Sequence, residues 1–168
     1  WATSFDQLVL DITGTGDFTL TNADALVLAS VTTGGNASFT TATGDLTVSA
    51  GAIDGNASFT AGGNLALASL TIGGDADFTA ANGGISFGAG TLGGNTAFTA
   101  TNGDVVLTNA PTITGDLSLT TIGSGDVILA DAGINIGGDL TVDADDLRDV
   151  DGDTDLTLAA TNANITLR

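Results

Sequence analysis

The chain has 168 residues, with 25 glycines, one proline, no cysteine and a formal net charge of −18. The absence of Cys excludes a disulfide framework and thiolate metal sites, and the charge opposes binding to nucleic acid or anionic membranes while favouring solubility and cations. No apolar run approaches the ~18 residues of a membrane-spanning helix.

All twenty acidic residues are Asp, and the only basic ones are Arg148 and Arg168. Glu and Lys are replaced by Asp, Asn, Thr and Gly, which weakens helices and favours strands and turns. At the N-terminus Leu8, Leu10 and Ile12 already alternate, so 1–13 reads as an incomplete coil that begins at a processed or excerpted Trp1. Next comes a repeat marked by glycines at 16, 35, 55, 74, 94, 115, 138 and 152, with the first five intervals running from 19 to 21 residues. Four residues after each marker stand Leu20, Phe39, Phe59, Phe78, Phe98, Leu119, Val142 and Leu156. Two residues after stand Phe18, Ala37, Ala57, Ala76, Thr96, Leu117, Leu140 and Thr154. Where the second column is small the first is Phe, so summed volume is nearly constant and one close-packed layer per repeat is expected.

A second alternating strand follows in each repeat, at Leu26/Leu28, Leu46/Val48, Leu65/Leu67, Ile85/Phe87, Val105/Leu107, Val127/Leu129 and Ile165/Leu167. A third apolar position closes it at Val31, Ile53, Ile72, Leu92, Ile113 and Ile136. Gly and Asn between the strands are expected to supply positive-φ corners. Equivalent residues in fixed columns predict a right-handed parallel β-helix (β-solenoid) with three short strands per coil and about eight coils of ~20 residues. The whole of 1–168 forms a single solenoid domain in this reading. Its regular coils span 14–136, and 137–168 holds irregular Asp-rich and terminal coils.

The outward columns are polar. Thr21, Thr40, Thr60, Thr79, Thr99 and Thr120 occupy one, followed by Asp143. Strand propensity and hydroxyl ladders account for such a column; the alternative is a binding face for ice or a glycan. Another column reads Asp17, Asn36, Asn56, Asp75, Asn95, Asp116, Asp139 and Asp153, ending in three successive carboxylates. Interleaved Asn relieves the repulsion of stacked Asp.

Catalysis has little to work with. Without His, Cys, Lys, Tyr or Glu, acid–base chemistry falls to Asp, and a Ser or Thr nucleophile lacks a base. The chain reads as a non-enzyme. The stretch "DADDLRDVDGDTD" at 143–155 holds seven Asp and shortens the repeat. Asp149, Asp151, Asp153 and Asp155 alternate around Gly152, a spacing that suits calcium, which takes six to eight oxygens; the alternative is a solvated loop.

The segments "GNASFTTATGDLTVSAGAI" at 35–53, "GGDADFTAANGGISFGAGTL" at 73–92 and "GGNTAFTATNGDVVLTNAPTI" at 93–113 resemble filamentous-haemagglutinin-type repeats. Those occur in large secreted bacterial adhesins. The resemblance implies a right-handed β-helix, export to the cell surface and attachment or matrix roles, and it transfers no catalytic residue. Repeats of this kind need neighbours above and below. The expected role is thus structural: an extracellular solenoid whose partners are further copies stacked end to end, or the neighbouring coils of a longer adhesin shaft.

Overall fold

The computed structural model describes residues 8–12, 14–129, 134–149, 158–160 and 164–168. Every element is a strand, and every strand pairing is parallel. In chain order, β1 (Leu8–Ile12) is a partial coil. It is followed by β2 (Phe18–Asn22) and β3 (Leu26–Thr33); β4 (Ala37–Thr41), β5 (Leu46–Val48) and β6 (Gly51–Ile53); and β7 (Ala57–Ala61) and β8 (Leu65–Ile72). Then come β9 (Ala76–Ala80) and β10 (Ile85–Leu92); β11 (Thr96–Thr101), β12 (Val105–Leu107) and β13 (Thr112–Ile113); and β14 (Leu117–Ile122), β15 (Val127–Leu129) and β16 (Ile134–Ile136). The last are β17 (Leu140–Asp143), β18 (Leu147–Asp149), β19 (Leu158–Ala160) and β20 (Ile165–Leu167).

The first strand of each coil joins an eight-stranded sheet, ordered β2-β4-β7-β9-β11-β14-β17-β20. Everything else belongs to a twelve-stranded sheet with the backbone order β1-β3-β5-β8-β10-β12-β15-β18. Eight rungs enclose seven turns, so the solenoid has about seven turns, and the axial rise is ~34 Å at ~4.8 Å per rung. Three separate strands per coil hold only in part, because β3, β8 and β10 carry the second and third strands as one eight-residue strand. The corner survives inside them. Leu67 and Leu70 are both buried while Ala68 and Ser69 between them are exposed, so two consecutive outward residues shift the alternation by one and bend the sheet.

The core is a set of ladders along the axis. Phe39, Phe59, Phe78 and Phe98 are fully buried and stacked, with ring centroids 5.3, 5.8 and 4.6 Å apart. The predicted small partners Ala37, Ala57, Ala76 and Thr96 sit beside them, buried and in register. A second compensation runs along the axis in the column Val31–Gly51–Leu70–Gly90. A Cβ on Gly51 would lie 2.5 Å from Leu70 Cδ2, so large and small residues alternate from coil to coil. Val31 therefore does not belong with Ile53 and Ile72. Its coil places Thr33 there instead, buried, with its hydroxyl accepting from the Gly35 N–H at 3.2 Å.

The C-terminal coil also differs from expectation. Ile165 and Leu167 pair with Leu140 and Val142, which makes β20 a first strand and not a second one. The second strand is β18, where Leu147 and Asp149 follow Val127 and Leu129; the third is β19, where Leu158 follows Ile134. Gly152 is therefore not a repeat marker. The second half of the Asp-rich stretch, after Asp149, falls between the second strand β18 and the third strand β19, so it lengthens the coil instead of shortening it. Local periodicity misread it because Asp-Gly-Asp imitates the marker.

Candidate functional site

The marker glycines and the residues after them form one device. The Asn36 N–H donates to Asp17 Oδ1, and the same bond recurs from Asn56 to Asn36, Asp75 to Asn56, Asn95 to Asp75, Asp116 to Asn95, Asp139 to Asp116 and Asn164 to Asp139, all at 2.8–3.0 Å. Each Asx side chain of one coil thus caps the backbone N–H at the corner of the next. Asp and Asn interchange because both place an oxygen on Cγ. The marker glycines are not needed for unusual φ, since the glycines with positive φ among the described residues are Gly14, Gly44 and Gly123. They are needed for space: a Cβ on Gly55 would lie 2.6 Å from Asn36 Oδ1, and Gly74, Gly94, Gly115 and Gly138 face the preceding Asx oxygen in the same way.

The column ends in Asp116, Asp139 and Asn164, so the expected run of three carboxylates through Asp153 is replaced by two and an amide. The Asn164 amide also donates to Asp139, at 3.4 Å, as the Asn36 amide does to Asp17 at 3.0 Å. These bonds carry charge assistance, and an amide beside Asp139 lowers the density of charge at this end of the column.

Sequence reading missed a second ladder, on the residue before each second strand. Asp45 accepts from Asn64 N–H, Asn64 from Gly84 N–H and Asp104 from Asp126 N–H, at 2.8, 3.1 and 2.9 Å. Its signal was present in the recurring Gly-Asp and Gly-Asn before Leu or Val. The Arg148 guanidinium pairs with the Asp126 carboxylate at the C-terminal end of this ladder, so the one internal arginine is occupied by a surface ion pair.

The threonine column is in register throughout: Thr21, Thr40, Thr60, Thr79, Thr99 and Thr120 are successive neighbours on the outer face of the eight-stranded sheet. Thr21 is exposed and the other five are half-buried. The expected hydroxyl ladder is absent from this column. None of the six hydroxyls bonds another protein group among the described residues, so all six are available to solvent or ligand. A groove of about 390 Å³ runs beside this face, between Asp17, Asn36, Asn56 and Asp75 and the outward Ser38, Ser58 and Asp77.

Of the four residues expected to hold calcium, Asp149 is placed and Asp151, Asp153 and Asp155 lie outside the described residues. Asp149 is 4% exposed and continues the column of Leu107 and Leu129. Its carboxylate therefore enters a column that is apolar elsewhere and marks the start of the inserted stretch. No group of three or more Asp, His, Cys or Glu that could hold a metal occurs among the described residues, and no helix there is long and apolar enough to cross a membrane.

A family model described as repeats of unknown function (DUF5649) matches residues 15–67 and 54–120. The chain belongs to the DUF5649 repeat family. The two overlapping matches take in the Phe stack, the whole threonine column and the Gly–Asx ladder as far as Asp116, so those features are the ones a DUF5649 repeat contains here. No curated protein and no solved structure matches the chain.

Proposed function

We propose that the protein is a non-enzymatic structural element, a stiff extracellular β-solenoid that serves as the shaft of a bacterial cell-surface adhesin or as a subunit stacked end to end into filaments. The observation that carries this reading is the continuity of coil-to-coil linkage. The eight-stranded sheet runs along the axis without interruption from β2 to β20 and the twelve-stranded sheet from β1 to β18, and the Asx ladder adds seven side-chain bonds of one polarity. A repeat array is stabilised by such neighbour terms and not by any one coil, which suits a load-bearing rod. The resemblance to filamentous-haemagglutinin-type repeats supports the surface location. Negative-stain microscopy of the purified chain tests the assembly: rods of ~34 Å that join lengthwise support it, and rods that remain single at high concentration refute stacking. Antibody labelling of intact source cells tests location, and labelling only after lysis refutes it.

A second reading takes the threonine column as a binding face for ice or a glycan. The six unbonded, in-register hydroxyls favour it. Ice-recrystallisation and glycan-array measurements on the native chain and on Thr60→Tyr and Thr79→Tyr separate this from a shaft alone. Activity that is absent, or unchanged in the variants, refutes it.

A further inference from the structure

The chain contains two Asn-Gly sequences, Asn82-Gly83 and Asn102-Gly103, at the same corner of successive coils. The structure treats them differently. Asn102 has φ 65° and is the only non-glycine residue at positive φ among those described. Asn is the side chain best suited to that region. The residue after it has to be Gly, because a Cβ on Gly103 would lie 2.5 Å from the Gly84 nitrogen of the preceding coil. The corner thus selects Asn for its backbone angle and Gly for its size, and the two together form a chemically labile pair.

Asn82 is held. Its amide donates to Gly62 O at 3.0 Å, and Gly83 forms an antiparallel bridge with Thr101. Asn102 is exposed, and its side chain makes no hydrogen bond to protein among the described residues. Its own N–H is tied to Ile122 O at 2.8 Å, but the Gly103 N–H has no partner among them. Both Asn-Gly pairs line one open groove of about 520 Å³ that admits water, but Gly83 is buried in its wall whereas Gly103 is half-buried.

We propose that Asn102 is a site of spontaneous modification in the folded protein, where it converts to aspartate and iso-aspartate. The Gly103 nitrogen, losing its proton, attacks Asn102 Cγ and the side-chain nitrogen leaves as ammonia, closing a succinimide. Water then opens either carbonyl of the ring. The balance is one water consumed and one ammonia released, and no oxidant or enzyme enters. The absence of a Cβ on Gly103 opens the path to Cγ, and the free Asn102 amide can turn toward it, while at Asn82-Gly83 the Asn82 amide is held by Gly62 O and Gly83 is buried. Each event adds a negative charge next to the Asp104–Asp126 ladder, and the iso-aspartyl product inserts a backbone carbon at a corner bonded to the next coil.

The test is ageing of the intact chain in mildly alkaline buffer, followed by cleavage at Asp, peptide mapping by mass spectrometry and enzymatic methylation of iso-aspartate. Modification at Asn102 is expected to be several-fold faster than at Asn82 in the folded protein, with the difference collapsing in denaturant. Equal rates in the folded protein, faster change at Asn82, or a ratio that persists in denaturant overturns the proposal. Asn102→Gly keeps the left-handed corner, as Gly44 and Gly123 do in other coils, and is expected to remain folded and to abolish the methylation signal assigned to this corner. Persistence of that signal in the variant also refutes it.

Discussion

Replacing Phe59 by Leu removes a ring stacked between Phe39 and Phe78, at 5.3 and 5.8 Å. Two aromatic contacts at ~1 kcal/mol each give a loss of about 2 kcal/mol, and the void left beside Ala57 adds to it. Ala57→Leu alone forces extra methylenes against a fully buried Phe59, at a cost of about 1–3 kcal/mol. If the two sites were independent, the double variant would lose about 4 kcal/mol. The coils carrying Leu117/Leu119 and Phe18/Leu20 show the alternative solution, a larger first residue with a smaller second one. The double variant Ala57→Leu/Phe59→Leu is therefore expected to lose about 2 kcal/mol or less, with a favourable coupling of about 2 kcal/mol. Urea unfolding of the four chains followed by far-UV circular dichroism closes the cycle. Losses that add to within about 0.5 kcal/mol would show that the paired columns reflect composition and not shared volume.

Three further outcomes follow from the same ladders. Gly51→Ala meets the end of the Leu70 side chain, whereas Gly90→Ala meets the Leu70 backbone carbonyl; the first is expected to cost about 1 kcal/mol and the second about 3 kcal/mol or more, read from urea midpoints. Asn56→Ala leaves the Asp75 N–H without its acceptor, so Asp75 is expected to gain hydrogen-exchange rate and the chain to lose about 1 kcal/mol, while Asn56→Asp keeps the bond and the protection; equal exchange in both variants would refute the capping role. Calcium binding at Asp149, Asp151, Asp153 and Asp155 predicts heat on calorimetric titration that falls in Asp151→Ala, and no heat from the native chain removes it.

The architecture was legible because solenoid columns repeat in sequence at the spacing at which they stack in space. Phe39, Phe59, Phe78 and Phe98 align in the sequence itself, and so do the threonines outside them. What failed was the assignment of columns. Val31 and Thr33 were confused because this coil carries its apolar side chain in the Leu70 column and a buried hydroxyl in the Ile72 column, so hydropathy alone picks the wrong one. Ile165 and Leu167 were assigned to the wrong strand because an insertion separates β18 from β19. Among the site features, the threonine column was visible as a pattern, but its unbonded hydroxyls were not, since rotamer and partner are properties of packing. The role of the marker glycines was also hidden. A single sequence shows that Gly precedes Asx, but only stacking shows that the oxygen from one coil occupies the space a Cβ would need in the next.

The polarity of that ladder bears on how the chain reaches its folded state. Every Asx oxygen points toward the coil that follows it in sequence, and the second ladder points the same way. A finished coil therefore presents a fixed acceptor to a segment that leaves the ribosome later than itself. Each addition meets a template already in place, and loop closure is limited to about one turn at a time. Assembly in the order of synthesis is then vectorial, like a zipper drawn from one end, each secured turn serving as the edge on which the next is laid.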